Sequence, residues 1–234
     1  MVGLDDPLAG APQAINKNTL MSQGNVRRIC IALAAAVLGG CASSVVVESD
    51  FPVPLVEQLP VTMGLFFEPE LRDFIHAETL PPRAPWTIDL GDANMALLEP
   101  IFNSMFSDTR NVEAMPLNGV STTGVDAIIR STLERFEFDI PFGERDEFVE
   151  VWMQYRFFVH EPDGNVIAEW PVTGYGKSEL ARNQEDAVRR AAIVAMREAG
   201  ATISTQFTQQ PEINYWLQER EHAENLSVRV RSPN

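Results

Sequence analysis

The residues able to do chemistry in this chain are few. The most distinctive are Leu38-Gly39-Gly40-Cys41, a thiol directly behind two glycines at the end of an apolar run. Small residues before a cysteine leave the backbone open to a peptidase, and a thiol can carry a covalent group. The other cysteine, Cys30, lies inside the run. A second candidate, Gly174-Tyr175-Gly176-Lys177-Ser178, ends like a phosphate-binding loop, but that motif needs a glycine five residues before Gly176, where Pro171 stands. Its glycines read instead as a bend from a strand into the last helix. His76, His160 and His222 have no ligand spacing among them, so no metal site is expected, and His160 and His222 read as solvated. Glu144, Asp146, Glu147 and Glu150 cluster beside a turn, as a soluble loop does, with no cleft to make them a glycosidase pair. No serine stands in a nucleophile-elbow pattern. Lys177, the only lysine after Lys17, has no catalytic partner in the sequence. The chain is therefore expected to be no enzyme and to hold no cofactor.

What precedes Cys41 gives the thiol its meaning. Arg27 and Arg28 are followed by about ten apolar residues, Ile29 to Leu38, the charge-then-apolar layout of a secretory signal. The run is shorter than the roughly 20 residues a bilayer span needs. Together these residues resemble the lipobox signal of bacterial lipoproteins. The resemblance implies that Cys41 receives a diacylglycerol, that the chain is cut between Gly40 and Cys41, and that the new amino terminus is acylated, with palmitate a typical chain. Met21 is then the expected start, residues 1–20 an upstream extension and residues 21–40 the signal peptide. Ala42, in place of the Asp that holds such lipoproteins in the inner membrane, implies the outer membrane and its periplasmic face.

The remaining composition agrees. From Cys41 onward there are 194 residues with one cysteine, so no internal disulfide is available and a packed core must supply stability. Residues 1–40 hold three basic and two acidic residues, which leaves 15 against 31 and a balance of −16 in the rest. Such a surface repels phosphate backbones, which excludes nucleic acid as a partner and a polybasic grip on anionic lipid. Membrane attachment is left to acyl chains.

The elements follow from hydrophobic period. Prolines at 52, 54 and 60 favour extended geometry, so residues 41–60 read as a lipidated, Pro-rich tether reaching roughly 50–60 Å when stretched. Residues 61–218 read as one domain. Strands are expected at Val61–Phe67 and Trp86–Leu90. A helix capped by Asp92 carries Met95, Leu98, Phe102, Met105 and Phe106, with a kink or break at Pro100. A short strand is expected at Asn111–Met115. The apolar set Val125, Ala127, Ile129, Ser131, Leu133 shifts to Phe136, Phe138, Ile140, which demands a bulge near Glu134-Arg135. The strand Phe148–Val159 returns through a turn at Glu161–Asn165 into Val166–Val172, with Pro171 favouring an edge. Asn183 caps a last helix ended by Pro211, and residues 219–234 read as a mobile tail.

This order gives an α+β fold: two layers, a mostly antiparallel sheet with two main helices packed on one face. The order over residues 61–217 resembles the small domains of periplasmic envelope-assembly lipoproteins, including those of lipopolysaccharide assembly. On the second face of the Phe148–Val159 strand, Trp152, Arg156 and Phe158 form an aromatic and arginine set suited to a protein partner, unless a helix covers them. The leading expectation is a lipid-anchored outer-membrane lipoprotein that is a non-enzymatic accessory subunit of an envelope assembly or transport complex. The alternative is a periplasmic module binding an apolar or lipidic ligand between sheet and helices.

Overall fold

The computed structural model describes residues 42–79, 84–116, 120–141, 147–180 and 182–231. Gly40, Cys41, the signal peptide, Glu144 and Asp146 lie outside them. The elements run β1 (Ser43–Val46), β2 (Leu59–Phe67), α1 (Pro69–Arg72), β3 (Ile75–Thr79), β4 (Pro85–Asp89), α2 (Gly91–Met105), β5 (Phe106–Asn111), β6 (Ala127–Asp139), β7 (Phe148–His160), β8 (Val166–Glu179), α3 (Gln184–Gln206), a 3-10 turn (Phe207–Gln209) and α4 (Pro211–Arg231).

The fold is α+β. Its main sheet has the order β5-β2-β6-β7-β8, and a smaller sheet has the order β1-β4-β3. The long antiparallel ladders are β6–β7 and β7–β8, while β5 and β6 both run parallel to β2 and β1 runs parallel to β4. The parallel ladders and the second sheet are additions to the single sheet expected. The β6 bulge is present, between Leu133 and Arg135. It turns Phe136 and Phe138 inward, where they meet His76 and Trp86 of the small sheet. Along β7 the alternate residues Val149, Val151, Met153, Tyr155, Phe157 and Val159 are all at most 2% exposed.

Helix α3 closes that inner face. Asn183 caps it, its side chain accepting the Glu185 and Asp186 N–H groups, and Ala187, Ala191, Ala195 and Ala199 are fully buried. Small residues on both sides let it lie unusually close to β8. A Cβ on Gly174 would stand 2.1 Å from the Ala195 carbonyl oxygen, and one on Gly176 would stand 1.9 Å from that of Ala191. The glycines are therefore no bend: β8 continues through them to Glu179 as an edge strand, and their role is close approach.

Other expectations are corrected by long-range packing. Residues 43–46 are not free tether but strand β1, with Val45 and Val47 buried. Helix α2 begins at Gly91, ahead of Asp92, where Asp89 Oδ1 accepts the Gly91 N–H at 3.1 Å. It runs unbroken through Pro100, and Phe106 already belongs to β5, so the strand expected at 111–115 lies earlier. Pro211 does not end a helix but starts α4, as proline at a first helical position does. The expected mobile tail is helical as far as Arg231, held by buried Ile213 and Trp216 and by an Arg220–Asp126 ion pair at 2.7 Å.

Asn94 and Tyr155 are fully buried and bonded: the Tyr155 hydroxyl donates to Asn94 Oδ1 at 2.7 Å, and Asn94 Nδ2 donates to the Leu71 carbonyl at 3.0 Å. Burial pushes the Tyr155 phenol well above its ordinary range, so it stays a donor. One contact chain thus ties β7 to α2 and α1. Gly176→Ala, forced against helix backbone, is expected to lower unfolding free energy in urea titrations by about 1–3 kcal/mol or more; an unchanged midpoint would contradict the close approach.

Candidate functional site

Helices cover the inner face of β7 and β8, while the outer face carries an exposed aromatic pair. There Trp152 of β7 lies opposite Tyr175 of β8. Their ring centroids are 5.3 Å apart, and they are 41% and 37% exposed. The Tyr175 hydroxyl donates to Glu150 Oε1 at 2.8 Å, which holds the phenol above its usual pKa. Lys177 Nζ stands 3.8 Å from the same carboxylate and 4.0 Å from the centre of the Phe148 ring. Beside the pair is a concavity of ≈ 490 Å³ whose lining includes Arg135, Glu137, Gln154 and Thr173. Flat aromatic area flanked by side chains that donate and accept hydrogen bonds is the make-up of an interface centre.

The three sequence candidates share this face but not one patch. Arg156 is held by two carboxylates, with Nε 2.5 Å from Glu134 and Nη1 2.7 Å from Glu169. Its hydrogen bond keeps the Glu134 carboxyl below the usual carboxylate range. Phe158 is roofed by the Arg130 guanidinium at 3.8 Å, itself bonded to Glu68 at 2.6 Å. Trp152 lies about 20 Å from Phe158 at the rise of a strand. The partner of Trp152 is therefore Tyr175, which sequence reasoning missed. A usable signal existed: reflecting the hairpin arms about Asp163-Gly164 sets Tyr175 opposite Trp152.

The adjacent edge is blocked. Outward-facing backbone of an edge strand invites another strand to pair. On β8, Pro171 has no N–H to offer, the Tyr175 N–H donates to Glu198 Oε2 at 2.6 Å, and Arg190 donates to Ser178 Oγ at 3.0 Å and the Glu179 carbonyl at 3.3 Å. Contact through the face is favoured over contact through the edge.

Elsewhere, His160 is not solvated but 6% exposed. Its Nδ1 donates to the Gly164 carbonyl at 3.0 Å, leaving Nε2 buried without a partner among the described residues. Burial, with Arg130 nearby, lowers its pKa against the opposing pull of the Gly164 bond. Among the described residues no group of three His, Cys, Asp or Glu side chains is placed to hold a metal. A second cavity, ≈ 280 Å³, lies between Pro52–Val56 and the helix residues Leu97, Ile101 and Gly200.

No protein-family model matches the chain, and no curated protein matches its sequence. Solved structures with similar shape include a Helicobacter pylori neuraminyllactose-binding hemagglutinin homologue (TM-score 0.47, 10% identity, 75% of this chain and 100% of that one). A Xanthomonas campestris protein of family DUF330 gives 0.43 at 14% identity over 70% and 91% of the two chains. A minor lipoprotein of Acinetobacter baumannii gives 0.36 at 9% over 63% and 92%. Scores and identities this low define no family for the chain.

A histidine with a lowered folded pKa binds its proton more readily when unfolded, so stability is full above its ordinary value of about 6.5 and falls as pH drops through and below it. Urea midpoints are expected to fall between about pH 7.5 and 5.5, and to fall less for His160→Gln. Equal decline in both proteins would remove His160 as the cause.

Proposed function

We propose that this protein is a lipid-anchored lipoprotein of the bacterial outer membrane, facing the periplasm, whose α+β domain is a non-enzymatic accessory subunit of an envelope assembly or transport complex. The observation that carries the reading is the outer sheet face: Trp152 and Tyr175 stand exposed on it while the opposite face is closed by α3. Exposed aromatics set in a ring of polar residues are the usual centre of a protein contact. The charge-then-apolar run ending in Leu38-Gly39-Gly40-Cys41 supports the address.

Binding of an apolar ligand is the second reading. The space between main sheet and α3 is filled by the alanine and glycine contact, so such a ligand would take the ≈ 280 Å³ cavity beneath Pro52–Val56.

Mild crosslinking and affinity capture from native envelopes separates the two. Recovery of one stoichiometric membrane partner is expected, reduced about tenfold or more by Trp152→Ala with Tyr175→Ala, as for loss of a contact centre. Cys41→Ala is expected to leave the membrane. Equal membrane attachment of that variant would sink the anchor, and co-purified lipid on a partnerless monomer would favour the ligand reading.

A further inference from the structure

Three aromatic rings of the domain lie under a cation of the chain itself, and each of those cations has a carboxylate beside it. Arg130 stands 3.8 Å over the Phe158 ring and bonds Glu68 at 2.6 Å. Lys177 stands 4.0 Å over Phe148 and 3.8 Å from Glu150, and Arg220 stands 5.2 Å over Trp216 and 2.7 Å from Asp126. The negative face of a ring attracts the cation, and the carboxylate fixes where it sits. Ring, cation and carboxylate thus recur as a unit of this surface.

At Trp152 and Tyr175 the rings and the carboxylates are present, and among the described residues no cation lies over either ring. Glu137 of β6 stands opposite Trp152, and Glu137 and Glu198 both line the concavity of ≈ 490 Å³ beside the pair. Asp139 stands opposite Glu150, two like charges facing each other across strands, an arrangement that weakens pairing by itself. Glu198 accepts the Tyr175 N–H at 2.6 Å and, like Asp139, has no cation partner among the described residues. The cations nearby are few: Arg135 lies 3.8 Å from Glu137 with both side chains largely in solvent, and Lys177 is taken up by Phe148 and Glu150. Glu137, Asp139, Glu150 and Glu198 therefore face only Arg135 and Lys177, and the place around the bare rings is left negative.

Resting on the reading that this face meets a protein, we propose that the partner supplies the missing cation: an arginine of a basic segment, its guanidinium stacked on Trp152 and Tyr175 and its N–H groups turned to the carboxylates of the concavity. Arginine fits better than lysine, because its planar group covers a ring, offers five donors in a fixed fork and sheds water more readily. Other occupants fit less well. A second copy of this chain would bring the same carboxylates against these and an equal negative balance. A purely apolar segment would take Glu137 and Glu198 out of water with no partner, which is costly. An added strand is refused at the β8 edge, where Glu198 already holds the Tyr175 N–H.

The full chain, purified from membranes with fluorine on its tryptophans, would be followed by fluorine NMR, with Trp152→Phe identifying the Trp152 signal. It would be titrated at low salt with acetyl-Gly-Arg-Gly-amide and with the same peptide carrying citrulline, the neutral isostere of arginine. The arginine peptide is expected to move the Trp152 signal saturably while those of buried Trp86 and Trp170 stay, and the citrulline peptide to bind at least about fivefold more weakly. Glu137→Gln with Glu198→Gln keeps both rings and an acceptor for the Tyr175 N–H, and is expected to weaken the arginine peptide about threefold or more, as is about 0.5 M salt. Equal affinity for the two peptides overturns the proposal, as does no saturable movement at Trp152 or an affinity that the glutamines leave unchanged. In capture from native envelopes the glutamine variant is expected to recover about threefold less partner or lower. A partner lost with Trp152→Ala and Tyr175→Ala but fully kept by the glutamine variant leaves the accessory-subunit reading standing and overturns the arginine. No partner in any sample, with the peptide bound as expected, defeats the accessory-subunit reading and keeps the guanidinium site.

Discussion

The approach of α3 to β8 is the constraint on which the rest depends. Ala191 and Ala195 present bare backbone to Gly174 and Gly176, and that closeness puts long polar side chains of α3 within reach of their neighbours. Arg189 reaches the Val46 carbonyl of β1, Arg190 reaches the end of β8, and Glu198 reaches the Tyr175 N–H at its edge. One helix therefore fills the inner face, fixes the first strand and blocks the sheet edge. Larger residues at the contact would lift α3 and loosen all three, which makes the glycines architectural and not part of any phosphate site.

What was legible in the sequence was local. The strict alternation along β7, the shift from Leu133 to Phe136 that required a bulge, and the Asn183 cap all rest on neighbours a few residues apart, and all are present. What was not legible needed distant partners. Four residues at 43–46 carry no pattern long enough to mark a strand until β4 lies beside them. Pro100 illustrates the balance: a proline inside a helix costs about 3 kcal/mol or more. Leu97, Leu98, Ile101 and Phe102 around it are each at most 2% exposed, and full burial of such a side chain stabilises by about 1.5–3 kcal/mol. Several such burials outweigh the proline, and the helix continues.

The candidate site was half legible for a related reason. Trp152, Arg156 and Phe158 share a face by their even spacing, and the structure keeps them there. Sequence spacing along one strand cannot tell which of them is engaged across the sheet. Arg156 is bound to Glu134 on one side and Glu169 on the other, and Phe158 lies beneath Arg130, so their polar and aromatic surfaces are already used within the chain. Trp152 has an aromatic neighbour at an angle of 41° and, among the described residues, no cation over its ring, which leaves ring surface free for contact. Cross-strand neighbours select the useful residue from the three.

The acidity of the domain bears on the proposed membrane attachment. With a balance of −16 from Cys41 onward, it gains nothing from anionic headgroups, where each basic residue near the surface would contribute about 1 kcal/mol and each acidic one opposes by a similar amount. An acyl chain contributes about 0.8 kcal/mol per buried methylene, so even one chain of fourteen or more carbons opposes ten such repulsions, and a second chain makes attachment stable. On the proposed lipoprotein reading, lipid and not charge would hold the domain at the membrane. Electrostatics is left with a different role: net acidity disfavours anionic surfaces as partners and leaves contact to uncharged aromatic area such as that of Trp152 and Tyr175.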